Sequence, residues 1–485
     1  MDQERPSFEE LQANLVNAVD EHGIDVMGRG TVVVLPSITF PSVELRKIIG
    51  IRYYEERMLY TVLRLRNSDL RLVYVTSVPV DPIIVDYYLG FLPPEIGARD
   101  RLTMISVGDP EPSALTGKLL SSPGTMQAIR SAVGESSGYI YPFNVTALEH
   151  RLSEQLGMPL YGPHPDLISL GSKSGSRRVA RVAGVPVLPG REDIYSMADL
   201  GEAIDQIRKE DPTAGAVVIK LNNGFSGQGN AIVELDTLRF PLKETPTVFC
   251  ASEESWSSFA AKIAEEGAIV EVLLRASRLV SPSVQLRIAP GGSIETLSTH
   301  DQILGGPDDQ VYLGCRFPAK EDYRRAILDH ALETAKVLAA DGVFGVFGID
   351  FIGTWGETGM EIYLSEINLR IGGTTHPFVM ANLITEGRYE FSTGELTAGG
   401  NTKFYISTDN LKSESYIGMT PGAAIEALRA AGLSYDPVTR TGATLHLMGA
   451  LRDYGKIGTL CIANSYEAAD DLYESVVATL DVAAD

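Results

Sequence analysis

The chain is poor in cysteine and tryptophan, with three of the first and two of the second in 485 residues. Cys250, Cys315 and Cys461 lie too far apart for a disulfide framework or a zinc-ligand spacing. They read as small buried hydrophobes of a reducing cytoplasm. Positive charge is also in deficit: 41 Lys and Arg stand against 63 Asp and Glu, a net charge of −22. That balance argues against a large nucleic-acid or anionic-membrane footprint, but leaves room for a small basic pocket. No apolar run approaches the roughly 18 residues of a membrane-spanning helix. The acidic opening MDQERPSFEE has no apolar segment, which predicts no signal peptide. There is no internal repeat, no GxxxxGK[ST] loop and no strand–GxGxxG–helix unit.

What is present is ordinary globular material, 44% hydrophobic and 21% charged, long enough for two to four domains. The first 165 residues alternate strand and helix patterns. Strands are expected at Thr31–Leu35, Arg71–Thr76, Thr103–Gly108 and Pro159–Gly162, and helices at Val43–Arg66, 82–91 and Thr146–Leu156. Such alternation predicts a parallel sheet with crossover helices. A boundary is expected near Gly162–Pro165. Beyond it come a helix at Ser174–Ala183, a β-rich stretch at Ala216–Glu234 and an acidic excursion at Leu242–Ser258, expected to be exposed. Strands follow at Ala268–Leu274, Ser283–Ala289, Ser293–His300, Gly345–Ile352 and Met360–Arg370, with a helix at Tyr323–Ala340 closed by Gly342. From about Gly387 the pattern becomes that of a small α+β cap.

Two stretches carry the chemistry. In Ile219–Ala231 an apolar strand delivers Lys220, then Asn223, Gly224, Ser226, Gly227 and Gly229 form a glycine-rich loop, and a second apolar strand follows. Backbone amides of such a loop approach phosphate oxygens and the lysine adds a point charge. The same pattern also fits an ordinary hairpin with a long turn. Lys173 sits in GSKSG, which has part of a phosphate-loop composition in the wrong order. The second stretch is Glu361–Arg370, EIYLSEINLR. Strand alternation puts Glu366, Asn368 and Arg370 on one face. Upstream, Gly348–Phe351 sets Asp350 between apolar neighbours in another strand. Two carboxylates and an amide oxygen on adjacent strands suit Mg²⁺ bridging phosphates, although either piece alone fits a solvated strand face. Gln285, His300 and Asp301 read as pocket residues or as structural hydrogen-bonders. Glu55 and Glu56 read as a solvated helix face.

The order Lys173, Lys220 with its glycine loop, Glu271–Leu274, Asp350, then Glu366-x-Asn368 resembles an ATP-grasp ligase. It is similar in particular to the pheganomycin-type peptide ligases, in the stretches Tyr53–Arg57, Val75–Val80, Gly171–Arg177, Ser281–Gln285, Ser298–Gln302 and Glu366–Pro377. The resemblance implies an α/β pre-ATP-grasp domain over 1–165 and a two-subdomain ATP-grasp fold over 166–386, with a lid at about 171–274. A C-terminal α+β cap over 387–485 would follow. It implies ATP and two Mg²⁺, with Mn²⁺ able to substitute. Lys173 and Lys220 would contact nucleotide and phosphates under the glycine loop, with Glu271, Val272 and Leu274 in the adenine hinge. Asp350, Glu366 and Asn368 would hold metal, and Arg287 and Arg370 would steady the transferred phosphoryl group. Beyond Gly372-Gly373-Thr374-Thr375, His376 would meet an acyl phosphate. Gln228 stands where the resemblance leads one to expect an acidic residue. The implied activity is carboxylate–amine ligation in peptide natural-product or antibiotic biosynthesis, releasing ADP and phosphate. The partners are a small-molecule carboxylate and an amino-acid or peptide amine, with no nucleic acid and no membrane, and a homodimer is compatible. Ligation to another nucleophile, or an ATP-binding sensor without catalysis, are the alternatives.

Overall fold

The computed structural model describes residues 7–15, 19, 28–224, 229–251, 253–306, 310–356 and 359–484. Ser226, Gly227 and Gln228 of the glycine loop lie outside the described residues.

The N-terminal sheet has four parallel strands in the order Leu102–Ser106, Leu70–Thr76, Gly30–Leu35, Gly138–Pro142. Its two central strands are buried nearly throughout, as near-continuous apolar runs covered by helices on both faces must be. The expected strand at Pro159–Gly162 contributes only a single bridge, Leu160 to Ile140. The expected helix over Val43–Arg66 is broken. A short turn of helix, Ser42–Leu45, stops before Gly50, which sits at φ +74°, and a 3₁₀ helix then runs from Ile51 to Arg66. A left-handed residue cannot continue a right-handed helix, and glycine adopts that conformation without strain. Nor is the face of Glu55 and Glu56 solvated. Glu55 accepts hydrogen bonds from the Ser77 amide (2.5 Å) and hydroxyl (2.6 Å), and Glu56 from the Gly449 amide (3.0 Å). Burial pushes both carboxyls up, to about 7 and about 8.

The next unit is a five-stranded antiparallel sheet, Gly190–Ile194, Ala268–Val272, Ala216–Leu221, Asn230–Glu234 and Thr247–Phe249. Helices Met197–Glu210 and Trp256–Glu266 bury Leu200, Ile204, Ile207, Phe259 and Ile263 against Val217, Ile219 and Val270. The stretch expected to be an exposed excursion supplies the edge strand of this sheet and buries Leu242 and Thr245. An ionic cluster ties this unit to the N-terminal domain. Lys47 Nζ lies 2.9 Å from Glu44 and 3.0 Å from Glu254, Lys262 Nζ lies 2.8 Å from Glu44, and Lys262 also pairs with Glu254.

A large, mainly antiparallel sheet forms the centre. Strand Pro282–Ile288 lies between Gly345–Gly356 and Ile294–Gly305, and Gly359–Asn368 pairs with the far edge of Gly345–Gly356. Helix Glu321–Ala340 packs Ile327, Leu328, Ala331, Ala335 and Leu338 on Val284, Leu286, Phe347 and Ile349. Each large aliphatic side chain buried this way is worth about 1.5–3 kcal/mol. Past residue 387 the chain has the expected α+β character but is continuous with this sheet. Strand Asn401–Lys412 pairs with Val311–Phe317 on one side and with Lys456–Ala463 on the other. Helix Tyr466–Ala484 covers that end. Among the described residues no helix is long and apolar enough to cross a membrane.

Candidate active site

A cavity of about 470 Å³ opens where the three units meet. Among the described residues it is lined by six cationic side chains, Lys47, Arg57, Lys173, Lys220, Arg370 and Lys456, and four carboxylates, Glu271, Asp350, Glu366 and Asp409. In a protein of net charge −22, this cationic excess marks a place for an anionic ligand.

Strand register brings the carboxylates together. Asp350 stands directly opposite Glu366, and Gly348 opposite Asn368, on neighbouring antiparallel strands. Asn368 Nδ2 donates to Asp350 Oδ2 at 3.1 Å, and Gln302 Nε2 to Asp350 Oδ1 at 2.8 Å. Burial, and then the neighbouring charge of Glu366, push the Asp350 carboxyl up to about 7. Two hard carboxylates at close quarters, one destabilised in its charged form, fit a divalent cation.

The lysines come from the other side. Ser172 caps helix Lys173–Val182, and Lys173 Nζ reaches Glu366 at 2.6 Å and the Gly224 carbonyl at 3.3 Å. Asn222 fastens the start of that helix to the hairpin, accepting from the Lys173 amide on its carbonyl (3.1 Å) and the Ser174 amide on its side chain (2.9 Å). Lys220 Nζ pairs with Glu271 at 2.7 Å, and Glu271 pairs in turn with Arg177 at 2.9 Å. Glu271 is thus the shared partner of two buried cations. Val272 and Leu274 follow it along the cavity wall, near Leu188 and Val218. The Val272 amide itself donates to the Pro189 carbonyl, so it is committed to the sheet. Gly224 and Gly229 face each other across the base of the loop. A Cβ on Gly229 would lie 2.9 Å from the Gly224 Cα, so close approach of the two arms demands glycine. Asn223 is turned away from the cavity, its amide donating to Glu266 at 3.0 Å.

Two expected residues are corrected. Arg287 is wholly buried and does not line the cavity. It lies one rung past Gln285 on its strand, opposite Glu295 in the register, and pairs with that carboxylate at 2.7 Å. His376 is also outside the lining. The first turn of helix Thr375–Thr385 carries it inward, where its ring packs edge-on against His446 at 4.5 Å and Nε2 sits 3.5 Å from Asp409. Burial holds its pKa well below the usual range. Gly372, Gly373 and Thr374 line the cavity in its place. Of the residues with two readings, Gln285 lines the cavity and accepts from Thr375 Oγ1 at 2.8 Å. His300 bonds to the Tyr405 hydroxyl and Asp301 to that of Tyr323, both as structural partners.

Arg370 lies just past the strand end, with Nη2 donating to Asn368 Oδ1 at 2.9 Å. Sequence reasoning missed Gln302, Arg57, Asp409 and Lys456. The first two fall inside stretches that carry the family resemblance. Asp409 and Lys456 come from the C-terminal segment, where no motif marks them.

Comparison with known proteins follows this geometry. Residues 167–246 and 242–392 match the family model described as IQCH-like, ATP-grasp, and 423–476 match the PGM1 C-terminal domain. An L-propargylglycine–L-glutamate ligase of Streptantibioticus cattleyicolor is 31% identical over 463 residues, covering 93% of this chain and 94% of the relative. Among solved structures, biotin carboxylase from Campylobacter jejuni aligns with TM-score 0.56 at 14% identity, over 94% of each chain. N5-carboxyaminoimidazole synthetase from Staphylococcus aureus, solved with ADP, aligns at 0.53 and 12%, over 92% of this chain and 97% of that one. At such identities the structural likenesses establish the fold. The full-length relative and the site geometry agree with it, and the chain belongs to the ATP-grasp ligases.

Proposed function

We propose that the chain joins a carboxylate to an amine in two steps at this cavity, forming an amide through an acyl phosphate. The observation that carries the reading is the convergence of Asp350, Glu366 and Asn368 with Lys173, Lys220 and Arg370 in one cavity. A carboxylate oxygen attacks the γ-phosphorus of ATP, the bond to the β-phosphate oxygen breaks, and ADP leaves. The amine nitrogen then attacks the acyl carbon, phosphate departs with the carbon–oxygen electrons, and the amine loses a proton to solvent.

Asp350, Glu366 and Asn368 would hold two Mg²⁺, or Mn²⁺ in its place, which when bound neutralise phosphate charge. Lys220, held at a fixed point by Glu271, offsets charge on the phosphoryl oxygens without having to reorganise. Arg370, held by Asn368, does the same from the strand end. The five-stranded sheet and its hairpin, within the lid of about 171–274, cover the nucleotide and keep water from the acyl phosphate. We retain the functional division 1–165, 166–386 and 387–485. The named relative supports an amino-acid or peptide acceptor and a place in peptide natural-product assembly. A cytoplasmic setting agrees with Cys315 and Cys461, whose thiols burial pushes up to about 12, away from the reactive thiolate. A homodimer is compatible with the reading.

The test is product analysis of purified protein with ATP, Mg²⁺ and pooled acids. Hydroxylamine should trap a hydroxamate with release of ADP and phosphate. AMP and pyrophosphate, or no acid-dependent turnover, would overturn the reading.

A further inference from the structure

The cavity has a second cationic end, beyond the metal-binding wall and unused by the chemistry above. Phe143 marks the transition. The Arg370 guanidinium lies 5.9 Å from its ring centroid, and the Arg57 guanidinium lies 5.3 Å from the same ring and 4.7 Å from that of Tyr54. Past Arg57 comes Lys456, whose Nζ is 2.7 Å from the Tyr54 hydroxyl and 3.0 Å from Asn410 Oδ1. Both cations line the cavity, Arg57 from the N-terminal 3₁₀ helix and Lys456 from the first residue of a C-terminal strand.

This end carries more positive charge than its own carboxylate answers. Among the described residues Asp409 is its one lining carboxylate, and both of its oxygens are engaged: Oδ2 by Arg57 at 2.9 Å and Oδ1 by His446 at 2.8 Å. Lys456 is 6% exposed, yet the two hydrogen bonds above go to neutral oxygens. Burying an ammonium on neutral partners is costly, and an anionic ligand would offset the cost. With the phosphates at Asp350, Glu366, Lys220 and Arg370, the Phe143 ring stands between Arg370 and Arg57, so the ligand of this end is a different anionic group.

The order along the wall separates the two substrates. The donor's carboxylate is consumed at the metal-binding wall. A monocarboxylic amino-acid donor then retains only an ammonium, which Arg57 and Lys456 repel. The acceptor brings its amine to the acyl carbon and keeps whatever carboxylate it carries, pointing away from the metals. We propose that Arg57 and Lys456 bind a carboxylate of the amine substrate, so that the acceptor is an amino acid or peptide with a free acid group and not a simple amine. The inference rests on the ligase reading and adds a role for the C-terminal segment, which closes the acceptor subsite.

The experiment uses the full chain. Once a pool of acids and amino acids has identified a coupled pair by mass, the acceptor is compared with its carboxamide and with the amine lacking that carboxyl group. A fall in kcat/KM of about 100-fold or more is expected for both. Lys456→Met should raise the acceptor KM about 30- to 100-fold with kcat at saturating acceptor changed less than threefold, and Lys456→Arg should restore most of the loss. Carboxamide used as well as acid, or a Lys456→Met effect falling on kcat or on the KM for ATP instead, overturns the proposal. The substrate comparison uses the native protein and so stands even where a variant does not fold. Failure of the ligase reading shows separately, as absence of ATP-dependent hydroxamate with any acid, and removes the acceptor subsite with it.

Discussion

Replacing Glu271 by glutamine isolates the ionic hub on which Lys220 depends. Glu271 is 1% exposed, with Lys220 Nζ at 2.7 Å and Arg177 Nη1 at 2.9 Å. At an effective dielectric of about 20, each attraction is worth about 6 kcal/mol before desolvation. Much of that is returned as the penalty of burying three charges, so the net figure comes from what removal leaves behind. Glutamine strands Lys220, while Arg177 keeps Glu192 at 3.2 Å and the Leu188 carbonyl at 2.9 Å, and breaking one buried pair already costs about 3–5 kcal/mol. For a cooperative unit of about 150–250 residues that is a fall in Tm of roughly 6–20 °C. Lys220→Met should cost clearly less stability, because Glu271 then keeps Arg177. Both variants should lose ATP-dependent turnover, since both remove a positioned lysine. Thermal melts with and without ATP, alongside ADP release, read the two effects apart. A Glu271→Gln protein that melts within 2 °C of the parent, or that melts above Lys220→Met, would refute the hub.

Glu366→Ala should cut turnover by about 10²–10³ with the fold retained, and removal of divalent metal by chelation should have the same effect; ADP release and a melt check both. Arg287→Met should lower Tm while leaving kcat, measured well below the melt, within threefold, because Arg287 serves Glu295 and not the phosphates. A pH profile tests Lys456. Burial, with Arg57 and Lys412 adding repulsion against the opposing pull of Asp409, lowers its pKa to about 8. Acceptor KM should therefore be flat below about pH 8 and rise above it. For stability the sign is opposite. Between about 8 and the ordinary 10.5 the unfolded lysine binds the proton that the folded one has lost, so this residue's contribution grows with pH there. The wild-type Tm minus that of Lys456→Met, followed against pH, should rise across that window.

The meeting of Asp350, Glu366 and Asn368 was legible because it is local. Alternation along one strand set Glu366 and Asn368 on one face, and an apolar strand with a single acid offered Asp350 as their partner. The register then made Asp350 and Glu366 direct neighbours. The acceptor end was not legible, because Arg57, Asp409 and Lys456 meet only after three units have folded, and no periodicity encodes that meeting. Arg287 failed for a subtler reason. It shares a nominal face with Gln285, but the face continues past the cavity beneath the N-terminal domain, and alternation says nothing about where a neighbouring domain begins. Leu242–Ser258 is largely exposed, as its polar composition says, with Leu242, Thr245 and Ala251 buried; what composition did not show is the edge strand within it, which needs only one sheltered face. The break at Gly50 was readable in principle, since a glycine inside a helical pattern admits a positive φ.

The ionic cluster of Lys47, Glu44, Glu254 and Lys262 joins the N-terminal domain to the sheet that bears Lys220. Any swing of that sheet away from the domain would part these lysines from these glutamates, at the rim where Lys47 lines the cavity. Dissolved ions compete for the partly exposed Lys262 and Glu44 over a Debye length of about 8–10 Å, but reach the buried Lys220–Glu271 pair far less. Where opening of this cluster limits product release, raising salt should quicken the departure of ADP while the single-turnover rate holds steady.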